Sequence, residues 1–274
     1  MSNTHQNLLK QKLKRVFVVL ITLYIMVASL LYFFQEKMLF LPTTLAQDYE
    51  YQFLFPFEEL YLETENEAVI NAIHFKAEEP KGVILFFHGN AGDLSRWGVL
   101  AEYFVEKQYD VLVMDYRTYG KSKGKLSEDA LYHDAQFCYD YLKARYNENK
   151  ISIYGRSLGS GIATYVASKN KPKRLILETP YYSILDVAKH RFPIFPVKAL
   201  LKYEFPSNEF ITTVKCPITM FHGTDDTVIP YSSAQKLKSV APQNNTTFIT
   251  IEGGGHNNLI SFDLYKEGIL DVLF

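Results

Sequence analysis

The 274-residue chain is poor in cysteine, with only Cys138 and Cys216. Neither falls in a CxxC pair or at metal-ligand spacing, which argues against a dithiol redox centre and a cysteine-held metal. Cys138 lies in a helical pattern and Cys216 opens a strand beside Pro217, so two buried free thiols are expected rather than a bridge. The chain also lacks a basic stripe, zinc-finger spacing, a phosphate-cradling glycine loop, internal repeats and low-complexity tracts. Net charge is −1, and residues 35–274 carry 25 Lys/Arg against 30 Asp/Glu. A mildly acidic domain without a basic stripe argues against nucleic acid as a partner. Hydrophobic residues make up 47% and charged residues 22%, a globular balance that leaves no room for long disorder.

One long stretch lacks charge altogether. Val16 to Phe34 is an uninterrupted uncharged run preceded by Lys10, Lys12, Lys14 and Arg15. Its 19 residues approach the length a helix needs to cross a bilayer, and no small-x-small cleavage site follows it. The reading is a basic cytoplasmic segment at 1–15, an uncleaved signal anchor at 16–34 and a folded domain at 35–274. The basic flank places that domain on the non-cytoplasmic side, in the periplasm if the source is bacterial.

From residue 59 strands and helices alternate. Leu60–Leu62 and Val69–Phe75 read as an antiparallel pair. The apolar runs Gly82–Phe87, Tyr109–Met114, Ile151–Tyr154, Arg174–Leu177, Ile218–Phe221 and Thr247–Ile251 read as further strands. Helices are expected at Leu94–Glu106, from Ser127 to about Tyr146, after Ser157, at Ser233–Val240 and at Leu259–Leu273. Continuous apolar strands between helices imply an α/β fold with a mostly parallel sheet covered on both faces. Between Pro180 and Thr213 four prolines break the alternation, so residues 180–213 are expected to loop over one end of the sheet as a small cap.

Four loops carry chemistry. Gly155-Arg156-Ser157-Leu158-Gly159 stands between an apolar run and a helical stretch. A serine on such a sharp strand-to-helix turn is held in strained backbone with its hydroxyl exposed, which suits a nucleophile. His222-Gly223-Thr224-Asp225-Asp226 follows a later strand and offers a carboxylate that could orient an imidazole; Asp226 is the choice and Asp225 the fallback. Gly253-Gly254-Gly255-His256 follows the last strand, and histidine suits general-base work near neutral pH. The chain order Ser157, Asp226, His256 matches one triad-bearing architecture and differs from the orders of two unrelated protease folds. Charge developing on a substrate carbonyl needs two backbone N–H donors, expected from Leu158 and from Asn90 or its neighbour in His88-Gly89-Asn90-Ala91-Gly92. His88 itself reads as structural.

Those segments, with Asp115-Tyr116-Arg117-Thr118-Tyr119-Gly120-Lys121-Ser122, resemble the α/β-hydrolase fold serine hydrolases over nearly everything after residue 35. The resemblance is greatest to the membrane-anchored α/β-hydrolase domain-containing subgroup, whose members are serine aminopeptidase-like or depalmitoylase-like. It implies a Ser157–His256–Asp226 triad, an oxyanion hole of the Asn90 and Leu158 amides, an acyl-enzyme, and no metal or cofactor. It further implies a small-molecule or acylated substrate met at a membrane lipid bilayer, with ester or thioester cleavage of lipophilic substrates. Amide cleavage by an aminopeptidase-like enzyme and a non-catalytic binding module on the same scaffold remain the alternatives. One departure is Thr118, where the family has glycine.

Overall fold

The computed structural model describes residues 3–274. It begins with α1 (Asn3–Leu39), a helix 37 residues long. The expected 16–34 segment lies inside it, and helical geometry continues on both sides. Among the described residues α1 is the one helix long and apolar enough to cross a membrane, and its apolar run is exposed.

The next element, β1 (Leu41–Pro42), pairs in parallel with β5 (Ala91–Gly92), a two-stranded piece that short sequence windows cannot signal. The main sheet comprises β2 (Phe57–Glu63), β3 (Val69–Phe75), β4 (Val83–Phe87), β6 (Asp110–Met114), β7 (Ile151–Arg156), β8 (Arg174–Glu178), β9 (Ile218–Gly223) and β10 (Thr246–Ile251). Its order is β10-β9-β8-β7-β4-β6-β3-β2. β2 and β6 both pair antiparallel with β3, and the remaining pairs are parallel.

Both faces of this sheet are covered, which explains the continuous apolar strands. In β4, Val83, Leu85 and Phe87 face one core while Ile84 and Phe86 face the other. The first core packs against α3 (Glu128–Lys143), α4 (Leu158–Lys169) and α8 (Tyr231–Val240). The second packs against α2 (Leu94–Val105) and α9 (Asp263–Leu273). Local chemistry fixes several starts: Asp93 accepts from Ser95 N at the head of α2, and Ser127 accepts from Ala130 N at the head of α3. The continuous helix expected over Leu259–Leu273 is interrupted. A 3-10 turn at Leu259–Ser261 ends at Phe262, whose extended ψ of 134° restarts the helix at Asp263.

Between β8 and β9 the chain forms α5 (Ile184–Arg191), α6 (Val197–Leu200) and α7 (Ser207–Phe210). Pro193, Pro196 and Pro206 stand between these helices, and proline cannot sit inside one. Glu128 ties this excursion to the body by accepting from the amides of Glu204 and Phe205.

Candidate active site

Ser157 occupies the turn between β7 and α4 with φ 51° and ψ −119°, a conformation that costs an L-residue energy. Close packing imposes it. A Cβ on Gly159 would lie 2.2 Å from Phe87 O, and one on Gly155 would lie 2.5 Å from the Ala163 Cβ. Only glycine lets strand and helix approach so closely on either side of the serine. The Ser157 N–H donates to Glu178 O at 2.9 Å, fixing the turn from the neighbouring strand.

The loops after β9 and β10 bring the other two residues to it. His256 Nε2 lies 2.9 Å from Ser157 Oγ, and His256 Nδ1 lies 2.7 Å from Asp226 Oδ2. The second Asp226 oxygen accepts from the amides of Val228 and Ile229, each at 2.8 Å. Burial opposes charge on this carboxyl. The hydrogen bond and electrostatic attraction of the neighbouring His256 ring, with the Ile229 amide, outweigh burial and hold Asp226 below the ordinary carboxylate range. Asp225 is exposed, accepts from Thr224 Oγ1, and among the described residues makes no hydrogen bond or ion pair with His256.

The Asn90 and Leu158 amides are set by one geometric device. In a trans peptide the N–H points opposite to the C=O. The Gly89 carbonyl, on the peptide that carries the Asn90 N–H, accepts from His88 Nδ1 at 2.7 Å. The Ser157 carbonyl, on the peptide that carries the Leu158 N–H, accepts from Ser160 N at 2.9 Å and Ser160 Oγ at 2.6 Å. Both carbonyls are thus tied on the protein side. Among the described residues neither N–H has a protein acceptor, and both residues line the same cavity as Ser157. His88 is wholly buried, stacked on Trp97 at 5.3 Å, with Nε2 3.3 Å from Asp115 Oδ1. It therefore has no access to substrate.

That cavity holds about 320 Å³. Tyr181, Ile184, Val187, Leu200 and Leu201 of the β8–β9 excursion line one side of it, Val228 and Ile229 another, and Leu31, Gln35, Met38 and Leu39 of α1 a third. No acidic side chain lines it, and Arg191 is its one cation. Among the described residues no cluster of three or more His, Cys, Asp or Glu could hold a metal ion.

Sequence reasoning missed two supports. His222 is buried with Nε2 3.0 Å from Ile229 O and 3.4 Å from Asp226 Oδ2, so it backs the acid. Burial holds its imidazole below the ordinary histidine range, which keeps it neutral. Arg156 pairs with buried Glu178 at 3.0 Å, and Glu178 also accepts from Tyr154 and from Tyr265. The same guanidinium reaches His256 O at 3.5 Å and Asn257 Oδ1 at 3.3 Å. Its place inside the Gly-x-Ser-x-Gly pentapeptide was the available signal.

A family model described as "Serine aminopeptidase, S33" matches residues 78–203. An uncharacterized membrane protein of Saccharomyces cerevisiae is 30% identical over 80% of this chain and 80% of its own length. This chain belongs to the α/β-hydrolase family of serine hydrolases. Among other members of that family, the lysophosphatidylserine lipase ABHD12 of Danio rerio is 34% identical over 63% of this chain and 50% of its own length. The chain spans only about half to two thirds of the first curated relatives it matches. The α/β-hydrolase fold is matched by the Pyrococcus furiosus esterase Pf2001, with TM-score 0.67, 20% identity, and coverage of 85% of this chain and 96% of that one. Thr118, at the family's glycine position, has φ 77°, the left-handed conformation that glycine adopts freely.

Proposed function

We propose that the protein is a membrane-anchored esterase that hydrolyses fatty acyl esters through a Ser157–His256–Asp226 triad. The observation that carries this reading is the continuous chain from Ser157 Oγ through both nitrogens of His256 to Asp226, with Ser157 itself lining an apolar cavity. His256 accepts the serine proton, and Asp226 holds the ring in the tautomer that leaves Nε2 free. The serine oxygen attacks the acyl carbonyl, and the Asn90 and Leu158 amides receive the charge on its oxygen. Collapse of the adduct expels the alcohol with the proton from His256. Water, deprotonated by the same ring, then releases the acid and regenerates the serine. The chemistry extends to thioesters, which share the acyl carbonyl. α1 would span a bilayer once, leaving the hydrolase domain on the non-cytoplasmic side.

Substrate class follows from the lining. A cavity near the low end of the usual range for small-molecule sites (about 300–1,000 Å³) suits one acyl chain. Its apolar wall favours a fatty acyl group, and Arg191 suits an anionic headgroup such as a phosphate. Lysophospholipids have both, in keeping with the lipase named among the relatives. Aminopeptidase action has less support, because no carboxylate lines the cavity to bind an α-amino group.

A fluorophosphonate probe tests the reaction. Labelling is expected for the full chain and absent in Ser157→Ala; no labelling of the folded protein would instead favour a non-catalytic binding module. p-Nitrophenyl esters of increasing chain length test the substrate class, with rates rising toward long acyl chains. A preference for amino-acid amides over every ester would overturn it.

A further inference from the structure

We infer that the cavity opens sideways into the bilayer: α1 and the cap loop Phe192–Pro196 form a port, inside the lipid leaflet, through which the acyl chain of a membrane lipid enters. The inference rests on the hydrolase reading only for what happens at Ser157. The position of the port stands on contacts of its own.

The anchor is part of the site. Leu31, Gln35, Met38 and Leu39 line the cavity that reaches Ser157. Gln35 is buried and locks this wall to the cap: its Nε2 donates to Leu200 O at 2.9 Å and its Oε1 accepts from Lys202 N at 2.7 Å. The Tyr203 hydroxyl adds a bond to Glu36 at 3.0 Å.

The cap also climbs along α1. Phe195 stacks on Tyr24 with ring centroids 4.9 Å apart, and the Tyr24 hydroxyl donates to Ile194 O at 3.1 Å. Tyr24 precedes Gln35 by eleven residues, or about 16 Å along the helix axis. It lies near the middle of the uncharged run, so a bilayer that covers the run also covers this loop.

The loop is made for hydrocarbon. Phe192-Pro193-Ile194-Phe195-Pro196 carries no charge, and Ile194 is 72% exposed. Exposed backbone groups are expensive in lipid, and few remain here. Two of the five residues are prolines without an N–H. Phe192 N donates to Ala188 O and Phe195 N to Phe192 O. The carbonyls of Ile194, Phe195 and Pro196 accept from Tyr24, Val197 and Ala199. At the base of the loop Lys189, Arg191, Lys198 and Lys202 are exposed, and Lys37 joins them from α1. Cations around an apolar tip fit the boundary between acyl chains and anionic headgroups. An acyl chain that slides in at this level never crosses water, so the hydrophobic cost of leaving the bilayer is avoided.

Depth is measured directly on the full chain in phosphatidylcholine vesicles. Both native thiols are buried, so Ile194→Cys, Ile25→Cys and Leu54→Cys can each be labelled with an environment-sensitive nitrobenzoxadiazole dye. The 194 label is expected to match the 25 label in blue-shifted emission and in quenching by mid-chain doxyl lipid, while the 54 label does neither. A 194 label that behaves like the 54 label overturns the port whatever the protein hydrolyses. For entry, Ile194→Asp is compared on two esters, since Ile194 does not line the cavity. Hydrolysis of a long-chain ester held in vesicles is expected to fall tenfold or more, with water-soluble p-nitrophenyl butyrate unchanged. An equal effect on both esters, or none on either, overturns lateral entry. Failure of the hydrolase reading would look different: Ser157→Ala would leave both rates intact.

Discussion

Replacing Asp226 by Asn removes one charge and almost no volume, so the geometry predicts its effect in detail. One carboxylate oxygen accepts from the Val228 and Ile229 amides, and the other lies 2.7 Å from His256 Nδ1. The Asn oxygen will keep the two amides, because turning the amide group round would bury two unpaired N–H groups at about 1–3 kcal/mol each. Its NH₂ then faces His256 Nδ1, which must accept, and the ring proton moves to Nε2, facing Ser157 Oγ. A ring protonated there cannot take the serine proton. The same NH₂ also meets the His222 N–H, 3.4 Å from the present oxygen. Loss of the base tautomer costs about 10⁴ in kcat, or about 5 kcal/mol of barrier. Burst-phase hydrolysis of p-nitrophenyl butyrate reads the rate, and thermal melts read the fold. With the oxygen on the two amides, Tm should change by only a few degrees, at about 2–4 °C per kcal/mol for a domain of this size. The neighbouring Asp225→Asn should retain activity within about twofold, because its carboxylate bonds only Thr224 and leaves the proton-transfer geometry untouched. Asp226→Asn activity above a tenth of the parent value, or equal losses from both variants, would refute the reasoning.

Four further outcomes are expected. Gly159→Ala drives a Cβ into Phe87 O at 2.2 Å and His88 O at 2.6 Å, backbone atoms that cannot yield, so Tm should fall by about 6–12 °C on a cost near 3 kcal/mol. Thr118→Gly relieves a φ of 77° at an exposed position, and a gain of about 1 kcal/mol should appear as a Tm rise of about 2–4 °C. Ser157→Gly should melt above Ser157→Ala, since glycine alone sheds the strain of φ 51°, although both are inactive. The last concerns pH: burial and the Lys76 charge bring His74 to about 4, while the unfolded ring titrates near 6.5. The unfolded chain therefore binds the proton first as pH falls below about 6.5, and the fold loses about 3 kcal/mol by pH 4. Denaturant titrations of His74→Leu should lack that part of the slope.

Legibility followed range in the sequence. The inner strands of the main sheet showed as apolar runs because both their faces are covered, and helix starts showed where Asp93 or Ser127 caps them. The candidate site was legible as three separate loops, each with its own local signature, and the structure brings Ser157, His256 and Asp226 within hydrogen-bond reach. The break at Phe262 had no punctuating glycine or proline, so Leu259–Leu273 read as one helix. The remaining features depend on partners far apart in the chain. Gln35 meeting Leu200, Arg156 meeting Glu178, and Leu41 pairing with Ala91 leave no periodic trace. α1 read as a tether because hydropathy reports its length, whereas its part in the cavity depends on which turns touch the β8–β9 excursion.

The two halves of the site are held by unlike means, and that difference bears on how each will respond to substitution. The half proposed to hold the oxyanion is over-determined. Asn90 O accepts from Leu41 N and the Tyr119 hydroxyl, the Gly89 and Ser157 carbonyls are tied down, and Trp97 packs under His88. Moving either amide requires strand and helix to part. The imidazole half rides on a loop opened by three glycines; Asp225 N and Gly254 N tie its base, Gly253 N donates to Thr224 Oγ1 and Gly255 N to Asn258 Oδ1, and Arg156 reaches His256 O and Asn257. Arg156 is the one of these restraints that ties the loop to the sheet through a buried ion pair, because its other partner, Glu178, is buried and bonded to two tyrosines. Its removal leaves a buried carboxylate unpaired, which is costly in itself, and also frees the loop that presents His256. Restoring charge with lysine returns the ion pair but not the planar fork that spans Glu178 and Asn257. Arg156→Lys should therefore recover most of the stability lost in Arg156→Ala and much less of the activity, a split that a purely structural salt bridge would not give.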